Sequence, residues 1–102
     1  MIFLRVVSKS ESKIEQVAEL LLRKGLVIDV NIKRHLERAE LVNDKLMTTP
    51  IFLLTAKTRA TLFNQIDALL NERYPDNMPE VYALPIMEMD WNQARVLKSM
   101  TS

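Results

Sequence analysis

Cysteine is absent from this 102-residue chain, and glycine occurs once, at Gly25. Without thiols the chain has no disulfide bonds, cysteine-ligated metal sites or cysteine nucleophiles. It also lacks a glycine-rich loop that would cradle a phosphate, and a nucleophile elbow. Its single histidine has no serine partner in a recognisable catalytic motif. We therefore expect no enzymatic activity and assign no catalytic residue.

An excess of charge and a long apolar run are missing as well. The 14 basic residues nearly balance the 13 acidic ones, whereas a dedicated nucleic-acid binder usually has a clear basic excess. Arg5 interrupts the apolar N-terminus, and no segment approaches the roughly 20 apolar residues of a membrane span. We expect a cytoplasmic protein with no nucleic-acid or membrane partner, folded as one domain over residues 1–102.

The apolar periodicity predicts the element order β-α-β-β-α-β, followed by a third helix. The predicted strands are residues 2–7, 26–33 with an extension to a tight hairpin turn at Asn43-Asp44, 46–58 and 81–84. The predicted helices begin at Ser10 or Ser12 and run to residue 24, then span 59–73 and 91–100.

Several residues mark the ends of these elements. Gly25 suits the left-handed position after the first helix, Thr58 is predicted to cap the second helix, and Asp90 the third. Pro50 predicts a bulge or an edge position in the third strand. The buried stripes are predicted at Ile14, Val17, Ala18 and Leu21 in the first helix, and at Leu62, Phe63, Ile66, Leu69 and Leu70 in the second.

This order is the ferredoxin-like α+β plan, with a long hairpin between the second and third strands. In that plan both helices cover the same face of an antiparallel sheet. Yet the strands carry apolar residues for both faces, because Phe3, Val7, Val27, Ile51 or Phe52, and Leu53 or Leu54 fall on the side that the helices leave open. Such a face is larger than a soluble monomer usually exposes, so we expect another subunit to cover it.

The residues in this order resemble the CutA family of divalent-cation tolerance proteins. The resemblance spans nearly the whole chain and is carried by short matches: Val30-Asn31-Ile32, Lys45 at the hairpin tip, Lys57-Thr58, Tyr74-Pro75, Pro79-Glu80, Ala83-Leu84-Pro85-Ile86 and Trp91. It implies a homotrimer in which each hairpin reaches over a neighbour. It also implies a binding or regulatory function in tolerance of divalent cations such as copper.

The chain departs from the family where metal binding is usually placed. Asp29 stands at a common cysteine position, Tyr74 at the histidine of a His-Pro-Tyr motif, and Asp76 at its tyrosine. The hairpin tip differs too, with Val42 at the usual tryptophan position. Two alternative functions therefore stay open: a trimeric sensor, similar to the PII signalling proteins, that binds a nucleotide or other small molecule between subunits, and a structural trimer without a ligand.

Two sets of site residues are predicted. A ligand cleft between subunits would be lined by Asp29, Lys57, Tyr74 and Glu80. A divalent ion such as Cu(II) or Zn(II) would be held by Asp29, His35 and Glu37, since carboxylates and imidazole suit such ions.

Each of these residues also has a structural interpretation. Asp29 would pair with Arg5 or Lys57, and His35 would be solvated in a charged hairpin. Glu80 would accept backbone N–H groups or pair across subunits, and the ring of Tyr74 would pack at a helix end.

Overall fold

The computed structural model describes residues 1–86. The strands are β1 (Ile2–Ser8), β2 (Ile28–Val42), β3 (Lys45–Thr58) and β4 (Glu80–Pro85). The helices are α1 (Glu11–Arg23) and α2 (Phe63–Arg73), and a single 3-10 turn at Ala60–Leu62 leads into α2. The predicted third helix and its cap Asp90 lie outside the described residues.

The four strands form one antiparallel sheet in the order β2-β3-β1-β4. The inner strands β1 and β3 are separated in sequence by α1 and β2, and β4 returns to the other side of β1. This is the ferredoxin-like α+β architecture that the sequence predicts.

The hydrophobic core lies between the helices and one face of the sheet. Inner-strand residues such as Leu4, Val6 and Leu54 are fully buried there. The helices contribute the stripe predicted for α1 (Ile14, Val17, Ala18 and Leu21) and the buried residues Ile66 and Leu70 of α2. The other predicted α2 residues, Leu62, Phe63 and Leu69, are partly buried against the same core.

Both ends of α1 match their sequence signals. The side chain of Ser10 accepts a hydrogen bond from the backbone N–H of Lys13, which caps the N-terminus. At the other end Gly25 has φ 66°. Its N–H donates to the carbonyl of Leu22, and the N–H of Leu26 donates to the carbonyl of Leu21. This pair of bonds is the Schellman motif, and buried Leu21 and Leu26 supply its usual apolar contact.

The prediction that Thr58 caps the second helix is wrong. Its side chain is fully buried, and its hydroxyl donates to the carbonyl of Leu26 at 2.7 Å. The Leu26 carbonyl precedes β2 and lies outside the sheet ladder, so it takes the hydroxyl as its donor. The helix instead begins through the 3-10 turn, with no side-chain cap.

The long hairpin is confirmed, and its turn is as predicted. Val42 pairs with Lys45, so the loop has two residues, Asn43 at φ 52° and Asp44 at φ 62°. Positive φ at both positions defines a type I′ turn, whose twist matches that of the flanking strands.

The sheet irregularities lie on β2 rather than at Pro50. The register shifts between Ile28 and Asn31 and again between Lys33 and Leu36, each time with one extra residue on β2. Asp29 (φ 54°) and His35 (φ 62°) lie in these two bulges. Pro50 pairs with Glu37 beyond the end of β1, where one side of β3 is a free edge, which confirms the edge position.

The sheet face opposite the helices carries apolar residues, as expected. Phe3, Val7, Leu53 and Ile51 lie on it, and β4 adds Tyr82 and Leu84. Phe3, Tyr82 and Leu84 are 38%, 47% and 43% exposed. The expectation for Val27 is wrong: it precedes β2 and is buried in the core on the helix side, because the strand begins only at Ile28. We call the sheet face opposite the helices the open face.

Within residues 1–86, neither helix has the length and hydrophobicity that crossing a bilayer requires.

Replacing Thr58 by valine keeps the shape of the side chain and removes the hydroxyl that satisfies the Leu26 carbonyl. We expect the free energy of unfolding to fall by about 1–3 kcal/mol, because a buried acceptor loses its partner. Urea unfolding measures the change. Thr48→Val on the exposed part of β3 is the matched control, and equal effects of the two substitutions would contradict this role for Thr58.

Candidate functional site

The open face carries a hydrogen-bonded group formed by β2 and β4. Glu80 accepts through Oε2 from Nη2 of Arg38 at 2.7 Å and through Oε1 from the hydroxyl of Tyr82 at 2.8 Å. Alternation along β4 puts Glu80 and Tyr82 on the same face, and β2 brings Arg38 to it. Glu80 thus pairs within its own chain, with both carboxylate oxygens engaged by side chains.

These contacts shift the pKa of all three groups, in the directions that keep Glu80 and Arg38 charged and Tyr82 neutral. The hydrogen bond from Arg38, followed by that from Tyr82, lowers the pKa of Glu80. The bond to Glu80 raises the pKa of the Tyr82 phenol and that of the Arg38 guanidinium. The group is therefore an ion pair at neutral pH.

A second ion pair lies nearer the start of β2. Lys57 Nζ is 3.1 Å from Oδ2 of Asp29, and it also stands over the ring of Phe3, 5.9 Å from its centroid. The bulge with positive φ at Asp29 places this carboxylate beside β3. The alternative in which Asp29 pairs with Lys57 is confirmed.

A cavity of about 450 Å³ opens on the same face near the Arg38–Glu80–Tyr82 group. It is lined by the charged residues Arg5 and Arg38, by Tyr82, and by apolar side chains that include Val7, Ile51 and Leu84. Arg5 is on the inner strand β1, directly opposite Tyr82 on β4. The cavity combines cationic and apolar walls, as small-molecule sites do.

Tyr74 does not join the other predicted cleft residues in the chain. Its ring belongs to the core on the helix side of the sheet, and its hydroxyl donates to Gln16 of α1 at 3.0 Å. Lys13 stands over the ring, 5.4 Å from the centroid. The sheet separates Tyr74 from Lys57 and Glu80, and the predicted packing of this ring at a helix end is confirmed.

The predicted metal ligands do not converge within one described chain. The bulge at His35 interrupts the regular alternation that would place it on one face with Glu37, and Asp29 is engaged by Lys57. Among residues 1–86 no three histidine or carboxylate side chains lie close enough to hold a metal ion. The donors of a single chain therefore do not fit a metal centre, and binding between subunits stays a prediction.

Comparison with known proteins places this geometry in a family. The model of the CutA1 divalent ion tolerance proteins matches residues 2–96. The chain belongs to the CutA1 family. Among the curated proteins, none matches this CutA1 member.

Solved CutA1 structures share the fold at low sequence identity. CutA1 from Oryza sativa is 26% identical with a TM-score of 0.83, covering 99% of this chain and 93% of that one. The divalent cation tolerance protein (Cut A1) from Thermus thermophilus is 24% identical with a TM-score of 0.82, covering 99% and 98%. CutA1 from Pyrococcus horikoshii is 18% identical with a TM-score of 0.83, covering 100% and 99%.

Sequence reasoning selected Glu80 and Lys57 but missed Tyr82, Arg38 and the cavity beside Arg5. Alternation along β4 was a signal that Tyr82 shares a face with Glu80. The position of Arg38 was harder to predict from the sequence, because the two bulges on β2 change which side chains reach the open face.

Replacing Glu80 by glutamine tests the ion pair through the pH dependence of stability. The pKa of Glu80 is lower in the folded than in the unfolded chain, so its contribution is present above the ordinary carboxyl pKa and is lost as pH falls through the folded value. We expect the acid-induced loss of stability below about pH 4.5 to be shallower in Glu80→Gln than in the original chain.

Urea unfolding from pH 7 to pH 3 measures this difference. Glu72→Gln on α2, a carboxylate outside the open face, is the control. An unchanged pH slope in Glu80→Gln would show that the Arg38 contact does not stabilise the folded chain.

Proposed function

We propose that this CutA1 family member acts as a homotrimeric binding protein in tolerance of divalent cations, copper among them, without a catalytic step. The observation that carries this proposal is the family match over residues 2–96. A cytoplasmic location, expected from the sequence, is part of the same proposal.

The assembly is supported by the open face. Phe3 and Leu84 lie opposite each other in the register of β1 and β4, and both are more than a third exposed. Tyr82 is next to them on β4. Burial of apolar surface contributes about 25 cal/mol per Å², so covering this face with another copy would stabilise a domain of this size substantially.

The hairpin gives the assembly a second contact. Leu41, Val42, Leu46 and Met47, near its tip, are 75%, 47%, 68% and 53% exposed. A two-stranded extension with four exposed apolar side chains is only marginally stable on its own. In the proposed trimer each hairpin packs on a neighbour, which buries these side chains.

Replacing Leu84 by glutamate tests the assembly. A carboxylate on the proposed interface would lose hydration without a partner, so we expect the sedimentation mass to fall from three chains toward one. Leu22→Glu is the matched control, because Leu22 on α1 is 50% exposed away from the open face.

The two variants also separate folding from assembly, since Leu84 is exposed in the single chain and circular dichroism reports whether it stays folded. A monomeric original chain would overturn the trimer. A trimer unaffected by Leu84→Glu would show that the open face is not the interface.

Metal binding is proposed at sites shared between subunits, because the donors described in one chain do not form a centre. Asp29 is the donor we select, since its carboxylate is 53% exposed at the edge of the open face while one oxygen contacts Lys57. Three copies in a trimer would supply three carboxylates.

Calorimetric titration with Cu(II) and Zn(II) tests this site. We expect micromolar binding that Asp29→Ala abolishes and Asp67→Ala, on α2, leaves unchanged. Binding that survives Asp29→Ala would move the site elsewhere. A thermal shift with ATP or ADP and none with metal would favour the PII-like alternative, and no response to either would favour a structural trimer.

A further inference from the structure

The charges on the open face are largely arranged in pairs. Asp29 is matched by Lys57, and Glu80 by Arg38, each at hydrogen-bonding distance. Two cations differ, Arg5 and Lys33, since within residues 1–86 neither makes an ion pair or hydrogen bond. Lys33 is on the edge strand β2, whereas Arg5 is on an inner strand. Glu80, two residues before Tyr82 on the neighbouring strand β4, already accepts from two other side chains.

Arg5 is exposed in the single chain, so its missing partner becomes costly only when the open face is covered. Arg5 is on β1, one of the two inner strands, between Thr55 of β3 and Tyr82 of β4 in the register. A guanidinium stays protonated in proteins, so it cannot escape burial by losing its charge. If a neighbouring subunit covers the open face, Arg5 is withdrawn from water as a cation without a counter-ion, which is strongly unfavourable.

The cavity beside Arg5 has room for a molecule that would supply this counter-ion. Its volume of about 450 Å³ falls within the range of small-molecule sites. Val7, Ile51 and Leu84 form apolar walls, and the ring of Tyr82 forms another. The hydroxyl of Tyr82 already donates its hydrogen bond to Glu80, so Tyr82 would contact a ligand through its ring.

We propose that Arg5 binds the carboxylate of a small organic acid whose apolar body occupies the open-face cavity. The planar guanidinium offers two parallel N–H donors that match the two oxygens of a carboxylate. The apolar walls suit an aliphatic or aromatic body. A phosphate dianion fits less well, because its second charge would need a second cation without a partner, whereas Arg38, the other cation of the cavity, is already neutralised by Glu80.

This inference goes beyond the proposed metal tolerance and rests on the proposed assembly for the enclosure of the cavity. It assigns to the open face a ligand class that is chemically distinct from a cation. It also assigns Arg5 a role separate from the carboxylates Asp29 and Glu80, which serve as partners of Lys57 and Arg38.

Calorimetry and thermal unfolding with benzoate and hexanoate as probes test the proposal, with benzamide and hexanamide as uncharged partners of the same shape. We expect the carboxylates to bind and to raise the unfolding temperature, and the amides to bind more weakly by about tenfold or more, since they lack the charge-assisted bond. Arg5→Gln should remove this preference. Arg73→Gln, which deletes an arginine at the end of α2, should keep it.

The outcomes are separable. Equal affinity for acids and amides, no binding by the original chain, or the same loss in Arg73→Gln as in Arg5→Gln would overturn the proposal. Arg5 could instead pair with a carboxylate of a second copy. In that case the assembled protein would not bind benzoate, and Arg5→Gln would dissociate in sedimentation. This pair of results would also overturn the proposal. Sedimentation of the original chain reports on the trimer independently, because carboxylate binding by a monomer would support the site while refuting the assembly.

Discussion

The rest of the structure depends on one geometric constraint, that two helices can cover only one face of a four-stranded sheet. The residues on the covered face, Leu4, Val6 and Leu54 among them, form the core with α1 and α2. No second layer of the described chain packs on the other face, although it carries the apolar residues Phe3, Val7 and Leu53. Their presence is the reason that we propose the open face as the surface for assembly and ligand binding.

The open face is not uniformly apolar, because charged residues are set into it as pairs. Lys57 with Asp29 and Arg38 with Glu80 keep opposite charges within hydrogen-bonding distance. Pairing lowers the cost of covering these groups, although exposed pairs of this kind contribute little stability by themselves. The pairs are therefore compatible with the proposed interface. At Arg5, which has no such partner within residues 1–86, the proposed organic acid would supply the missing negative charge.

The second strand decides which side chains take part. Its two bulges each add one residue relative to β3, and at both the backbone enters the left-handed region at a residue other than glycine. Asp29 tolerates this conformation and gains a contact with Lys57. Past the second bulge, the strand brings Arg38 to Glu80, while Arg34 within that bulge pairs with Glu11 and Glu15 of α1. Arg34 and Arg38, four residues apart in the sequence, thus form ion pairs on opposite faces of the sheet.

The sequence by itself determined the order of the helices and strands within residues 1–86, the buried stripe of α1, the glycine that ends it and the two-residue turn at Asn43-Asp44. These features follow from local patterns: periodicity, capping and the φ angles that particular residues tolerate. Only the tertiary structure decided that Thr58 bonds to Leu26 instead of capping α2, that Tyr74 lies across the sheet from Lys57, and that Arg38 meets Glu80. Those contacts join residues more than 30 positions apart or depend on bulges that shift the register, and alternation along one strand carries no information about either.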